Sequence, residues 1–182
     1  MRYLTPERLA ALQDHSDKQR FLAALDDWED AVSAYQEQLR RIHESLPAGL
    51  RQLVDTVALH DAKVIDISQG QRSRFTIILE PESDPARQVV LAYSLSAPVE
   101  IKEDALPEAV RSRPLQWLYD ELQIVQPGEN GKQPQAFAHS ILLSNGWEMT
   151  VRFRSVTVTR PVSLLSRRLD GASGQATVSR SA

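Results

Sequence analysis

The chain has 182 residues, a formal net charge of −3 and no cysteine. At that length folding buries roughly 70% of the surface an unfolded chain exposes, so no disulfide or metal staple is needed. The missing cysteines exclude a disulfide scaffold and every thiolate-based nucleophile or metal site, and the slightly acidic balance gives nucleic acid and anionic lipid no electrostatic hold.

The opening MRYLTPERLAALQ holds no apolar stretch of leader-peptide type. No run approaches the roughly 20 apolar residues of a membrane span. Together these features point to a cytoplasmic protein of bacterial type, with no membrane partner.

Thr5-Pro6-Glu7 reads as a helix start. The threonine caps free N–H groups, proline is tolerated in the first turn, and glutamate suits the positive end of the dipole. This short helix is expected to end near Leu12 or Gln13, with a break at Asp14-His15-Ser16-Asp17. Ser16 or Asp17 then caps a much longer helix.

In that helix Phe21, Leu25, Trp28, Val32, Tyr35, Leu39, Ile42 and Leu46 alternate at spacings of four and three. This is a 3.5-residue repeat held for over three heptads, stopped by Pro47 and Gly49. Acidic residues in its first half and Arg40 and Arg41 near its end suit the macrodipole, and Glu37 precedes Arg41 by four. Trp28 and Tyr35 are bulky for a two-stranded seam, so a core-facing stripe is the expected role. A partner-binding stripe centred on Trp28, Tyr35 and Leu39 is the alternative. The stripe spans about 38 Å where a six-residue strand covers about 20 Å, so part of it overhangs a small sheet.

Residues 50–57 place Leu50, Leu53, Val54 and Val57 on one helical face. From Ala62 the period changes to two. Segments 63–68, 74–79 and 88–95 read as strands, and 99–102 as a further short one. The segment 115–125 satisfies both periods and is assigned to strand because two clear strands follow it. In those two, Phe137, His139, Ile141 and Leu143 alternate, as do Trp147, Met149, Val151 and Phe153. A three-residue Ser144-Asn145-Gly146 loop puts both sets on one face and pairs Ile141 with Met149, His139 with Val151 and Phe137 with Phe153. The phase shift to Val156 and Val158 predicts a β-bulge near Arg154-Ser155.

The expected fold is therefore α+β: N-terminal helices including one long amphipathic helix, followed by an antiparallel, strongly curved sheet. The expected organisation is a helical segment over 1–58, a β domain over 59–162 and a disordered tail over 163–182.

Chemistry-bearing motifs are sparse. With seven glycines there is no GxGxxG or GxxxxGK phosphate loop and no GxSxG elbow, so no cofactor is expected. His60-Asp61 is a His–Asp dipeptide at a strand entrance, where a turn is the simpler explanation. His139 faces the apolar side of its hairpin, the usual place of a hydrogen-bonded core histidine. Asp120 and Glu121 are adjacent on a strand and point to opposite faces, so they cannot act as a close carboxylate pair. A divalent-metal site from His60, Asp61, His139 and Glu121, or Asp120 in its place, is the one cluster the sequence offers. Arg160, Arg167, Arg168 and Arg180 make the end of the chain basic in a manner suited to a solvated tail.

The strings LHDAKVIDI, WLYDELQI and FAHSILLSNGWEMTVRFRSVTV resemble an uncharacterised family of small bacterial proteins carrying HD, LYDE and FxHxILLSxG-like strings. The resemblance covers roughly residues 1–160. It implies that His60, Asp61, Tyr119, Asp120, Glu121 and His139 belong to a recurring pattern, and it carries no activity. The functional expectation is a non-enzymatic protein-interaction module, of accessory or immunity type, engaging itself or another protein through the long helix or sheet face. A metal-dependent hydrolase and a small-molecule binder inside the curved sheet are the alternatives.

Overall fold

In the computed structural model the described residues are 1–56, 58–85, 87–103, 106, 111, 114–125 and 136–160. The expected tail over 163–182, Val57, and the arginines beyond Arg160 lie outside them. The elements are α1 (Pro6–Leu12), α2 (Lys18–Ile42), a 3₁₀ turn η1 (His43–Ser45), α3 (Ala48–Thr56), β1 (Ala62–Gln69), β2 (Arg74–Glu80), β3 (Val89–Leu95), β4 (Glu100–Glu103), β5 (Gln116–Val125), β6 (Ala136–Leu143) and β7 (Trp147–Thr159). Thr5 caps α1 by accepting the Arg8 N–H, and Asp17 caps α2 by accepting the N–H groups of Gln19 and Arg20. The long helix is α-helical to Ile42 only; its last expected turn tightens to 3₁₀ before Pro47.

The strands form one antiparallel sheet in the order β3-β2-β1-β5-β6-β7-β4, and a further β3–β7 pairing curls it into a ring. The hairpin register is the expected one, with Phe137 opposite Phe153, His139 opposite Val151 and Ile141 opposite Met149. Gly146 sits at φ 92°, the left-handed position the three-residue loop requires. The β7 bulge also occurs. Leu95 pairs with Phe153 and Ser94 with Ser155, which leaves Arg154 as the extra residue. That bulge bends β7, so its first half pairs with β6 and β4 and its second half with β3.

A ring this small fills with its own side chains. Ile77, Leu79, Leu91, Trp117, Ile141, Leu143, Val151 and Phe153 are fully buried within one core cluster. Leu46, Leu50 and Leu53 bring η1 and α3 into the same cluster. Gly49 sets the approach of α3 to β7, since a Cβ there would stand 2.4 Å from the Val156 carbonyl oxygen. Gly49→Ala is therefore expected to cost about 2–3 kcal/mol, as over-packing against immobile backbone does, read as a lower midpoint in chemical denaturation.

A smaller cluster lies outside the ring. Leu9 of α1, Leu106, Leu118 and Leu142 are buried together, with Trp28 and Tyr119 packed against them. The overhanging part of the α2 stripe is thus met by the chain's own first helix. Even so, Ala31 is the only residue of α2 that is fully buried.

The candidate site and the helix that covers it

Strand β5 carries the polar chemistry of the fold, and a bulge decides how. Trp117 pairs with Leu143 and Tyr119 with Leu142, so the register slips by one residue at Leu118. Trp117 and Asp120 consequently both face the interior, and the Trp117 indole N–H donates to Asp120 Oδ1 at 2.9 Å. Asp120 Oδ2 lies 2.9 Å from His139 Nε2, and His139 Nδ1 lies 2.8 Å from the Tyr93 hydroxyl. A carboxylate only accepts, so Nε2–H donates to Asp120, and the Tyr93 hydroxyl is hydrogen-bonded to the other ring nitrogen. Trp117 and His139 are fully buried and Tyr93 nearly so, while the Asp120 side chain keeps 28% of its accessibility.

The order hydroxyl–imidazole–carboxylate matches a nucleophilic relay in connectivity. Its chemistry differs. Burial first, and the Asp120 charge second, push the Tyr93 hydroxyl well above its ordinary range, so it stays protonated. Tyr93 is enclosed by Phe75 and Phe153, at ring separations of 6.2 and 5.1 Å. Burial also pushes the Asp120 carboxyl up, but the hydrogen bond and charge interaction with His139, together with the Trp117 N–H, outweigh it and hold the group below its usual value. This network joins β3, β5 and β6 across the interior.

On the opposite face of β5, Glu121 is fully buried. Its Oε1 accepts the N–H groups of Tyr3 at 2.7 Å and Leu4 at 2.6 Å, and its Oε2 accepts that of Arg2 at 2.8 Å. Three consecutive backbone donors thus converge on one carboxylate. The sequence-level expectation that Asp120 and Glu121 part to opposite faces is met by these two sets of partners.

The β1–β5 pairing is short, covering Ala62–Trp117 and Lys63–Gln116. Beyond it the free edge of β5 is satisfied by side chains. Tyr35 Oη accepts the Leu122 N–H at 2.9 Å, Gln38 donates to the Leu122 carbonyl at 3.4 Å, and His60 Nδ1 meets the Leu118 carbonyl at 2.5 Å. Trp28 packs edge-on to Tyr119 at 4.8 Å. Burial, then the charge of Asp120, raises the Tyr35 hydroxyl above its ordinary range and keeps it neutral. Two of the three partner-binding candidates, Trp28 and Tyr35, thus contact the molecule's own sheet. Leu39 packs partly on the main core.

The four metal candidates take separate partners. His139 is bonded to Asp120 and Tyr93 inside the ring, and Glu121 holds residues 2–4. His60 and Asp61 lie outside at a left-handed turn, with φ 61° at Asp61 and 3.4 Å between His60 Nε2 and the Asp61 carboxylate. Among the described residues no group of three or more His, Asp or Glu side chains is placed to hold a metal ion. Comparison with protein families, with characterised proteins and with solved structures finds no match.

One polar pair escaped the sequence reading. At the corner of α2, η1 and α3 a groove of about 430 Å³ is floored by Leu39 and Val54 and edged by Gln36, Arg40, His43, Glu44 and Asp55. His43 Nε2 lies 2.8 Å from Asp55 Oδ1, across the Pro47 turn. Twelve residues separate the two, and no spacing rule connects positions on either side of a chain reversal. The Asp55 hydrogen bond, opposed by desolvation and joined by the charge of Asp55 and by Glu44, raises the His43 pKa. The sign follows from linkage: this pair's contribution is complete below the unfolded histidine value of about 6.5 and is lost as pH rises through the raised folded value. Asp55→Asn is expected to bring the His43 NMR titration midpoint down toward that ordinary value. An unchanged midpoint would remove Asp55 as the cause.

Proposed function

We propose that this chain is a non-enzymatic protein-interaction module that receives a partner protein at the α2–η1–α3 corner. The observation that carries the reading is a contrast. The interior polar groups Trp117, Asp120, His139 and Tyr93 are bonded to one another, whereas the corner groove is open, apolar at its floor and polar at its rim. Interaction sites commonly combine those two features. Leu39 is the sequence candidate that lines the groove, and Arg40 and Glu44 flank it with 75% and 90% exposed side chains.

The test is site-specific photo-crosslinking in native cells from Gln36 and Arg40, with Glu82 on the β2–β3 loop as control. A discrete protein adduct formed from both groove positions and not from Glu82 is the expected result. Equal adducts from all three positions, or none from the groove, would overturn the reading. Light scattering on the purified chain separates self-association from a foreign partner.

A further inference from the structure

We propose that the hollow between the β1–β2 turn, the end of β3 and the β7 bulge binds the phosphate group of a small phosphate ester. The hollow measures about 340 Å³, within the range of small-molecule sites. Its polar lining is Gln69, Ser73, Ser96 and Arg154, and it includes no carboxylate. Leu95, Ala97 and Pro98 supply the apolar remainder. Arg154 is the residue that the bulge inserts into β7, and a bulge of this kind re-aims one side chain out of the regular alternation. Backbone bonds hold the three segments together. The Leu95 N–H donates to the Ser73 carbonyl at 2.8 Å, and the Ser96 N–H to the Arg152 carbonyl at 2.9 Å. The hollow is thus built from fixed backbone, which keeps the ordering cost of binding small.

The charge balance selects an anion. Arg8, Arg40, Arg41, Arg87 and Arg152 are each held by a carboxylate. Among the described residues no carboxylate pairs with Arg154, nor with Arg72 and Arg74 on either side of Ser73, and the side chains of Gln69, Ser73 and Ser96 make no hydrogen bond. A guanidinium presents parallel N–H donors to an oxyanion. With two hydroxyls and a carboxamide added, the donors exceed what the two oxygens of a carboxylate take up and suit the three free oxygens of a phosphate monoester. Leu95, Ala97 and Pro98 then give the organic part of the ester an apolar wall. The turn 71–74, closed by the Arg74 N–H on the Gln71 carbonyl at 3.3 Å, holds Arg72 and Ser73 at φ 55° and 60°. Such left-handed positions ordinarily take Gly or Asn, so the turn keeps a cation and a hydroxyl where stability alone favours glycine. The hollow shares no residue with the α2–η1–α3 groove, and phosphate binding there goes beyond the partner reading and stands without it.

The test is an amide NMR shift titration of the full chain at low ionic strength, with phenyl phosphate, inorganic phosphate and acetate as probes. Saturable shifts centred on the amides of Ser73, Ser96, Ala97 and Arg154 are expected, with phenyl phosphate bound tighter than inorganic phosphate and acetate weakest. Arg154→Gln should weaken phenyl phosphate about tenfold or more, the loss expected for a charge-assisted partner. Arg87→Gln makes the same charge change at the opposite end of the β2–β3 hairpin and should leave the affinity unaltered. Ser73→Gly separates binding from folding. It should raise the midpoint of chemical denaturation, because glycine takes that φ freely, and yet weaken phenyl phosphate about threefold through the lost hydroxyl. Shifts that do not saturate, or affinity undiminished in Arg154→Gln, would overturn the proposal. Acetate bound as tightly as phenyl phosphate would overturn the phosphate class. Inorganic phosphate bound as tightly as phenyl phosphate would overturn the ester and assign the hollow to the free ion.

Discussion

Glu121→Ala is expected to lower stability by about 4 kcal/mol, because it strands three donors at once, that of Leu4 buried and those of Arg2 and Tyr3 part-buried, and each unsatisfied buried donor costs about 1–3 kcal/mol. The carboxylate is fully buried, and the N–H groups of Arg2, Tyr3 and Leu4 converge on it from three successive residues. Glu121→Gln should fall between wild type and alanine, since the amide oxygen still accepts but the amide nitrogen faces a donor. Denaturant titration gives the stability change. Native-state hydrogen exchange localises it, with faster exchange expected at Tyr3 and Leu4 while the β6–β7 amides keep their relative protection. A loss below 1 kcal/mol would mean that the first residues are held by something other than this carboxylate.

The second large effect is expected inside the ring. Asp120→Ala removes the acceptor shared by Trp117 and His139 and is expected to cost about 3 kcal/mol, in the range for breaking a buried polar pair. The residual accessibility of Asp120 keeps the figure toward the lower end, because water can reach part of the vacated space. Tyr93→Phe leaves the imidazole bonded to Asp120 and should cost only about 1 kcal/mol. The pH dependence has a definite sign. The folded carboxyl titrates below its ordinary value. Its contribution is therefore complete above the unfolded aspartate value of about 3.9 and is lost as pH falls through the lower folded value. Comparing acid unfolding of wild type and Asp120→Asn checks this: the acid-labile increment should vanish in the variant. Nitrogen NMR of His139 should report a proton on Nε2 at neutral pH, and a proton on Nδ1 alone would reverse the donor assignment.

The Asp120–His139 network and the bonds from Glu121 to residues 2–4 share a cause. Leu118 is the unpaired residue of β5, and its bulge sends Asp120 inward beside Trp117 while Glu121 turns outward beneath the N-terminal segment. A regular strand would carry Trp117, Tyr119 and Glu121 on one face. That single displaced residue therefore determines which carboxylate meets His139.

Much of the architecture is legible in local pattern. The Thr5 and Asp17 caps, the stripe from Phe21 to Leu46, the register of Phe137, His139 and Ile141 against Phe153, Val151 and Met149, and the bulge at Arg154 all follow from side-chain periodicity. These features depend on residues a few positions apart, or on two strands joined by one short loop, where a slip of one residue would expose a whole apolar face. The segment 115–125 was ambiguous for the same reason: the bulge at Leu118 breaks its period of two and leaves spacings that imitate a helix.

The site was legible only in part. Asp120, Glu121, His60, Asp61 and His139 could all be picked out by residue type, but their partners could not. Tyr93 lies 46 positions from His139, and Glu121 lies 117 to 119 positions from the backbone it holds. Such contacts exist only after the sheet has curled and β3 has met β7. The sequence alone determined the elements, their order and the pairing of neighbouring strands, because those rest on local sterics and on which side chains avoid water. The tertiary structure decided that the α2 stripe caps a free strand edge, that one carboxylate serves the interior and its neighbour the N-terminal segment, and that His43 meets Asp55 beside an open groove. Each of those outcomes depends on where a closed ring leaves its unpaired edges, and that is a property of the whole sheet.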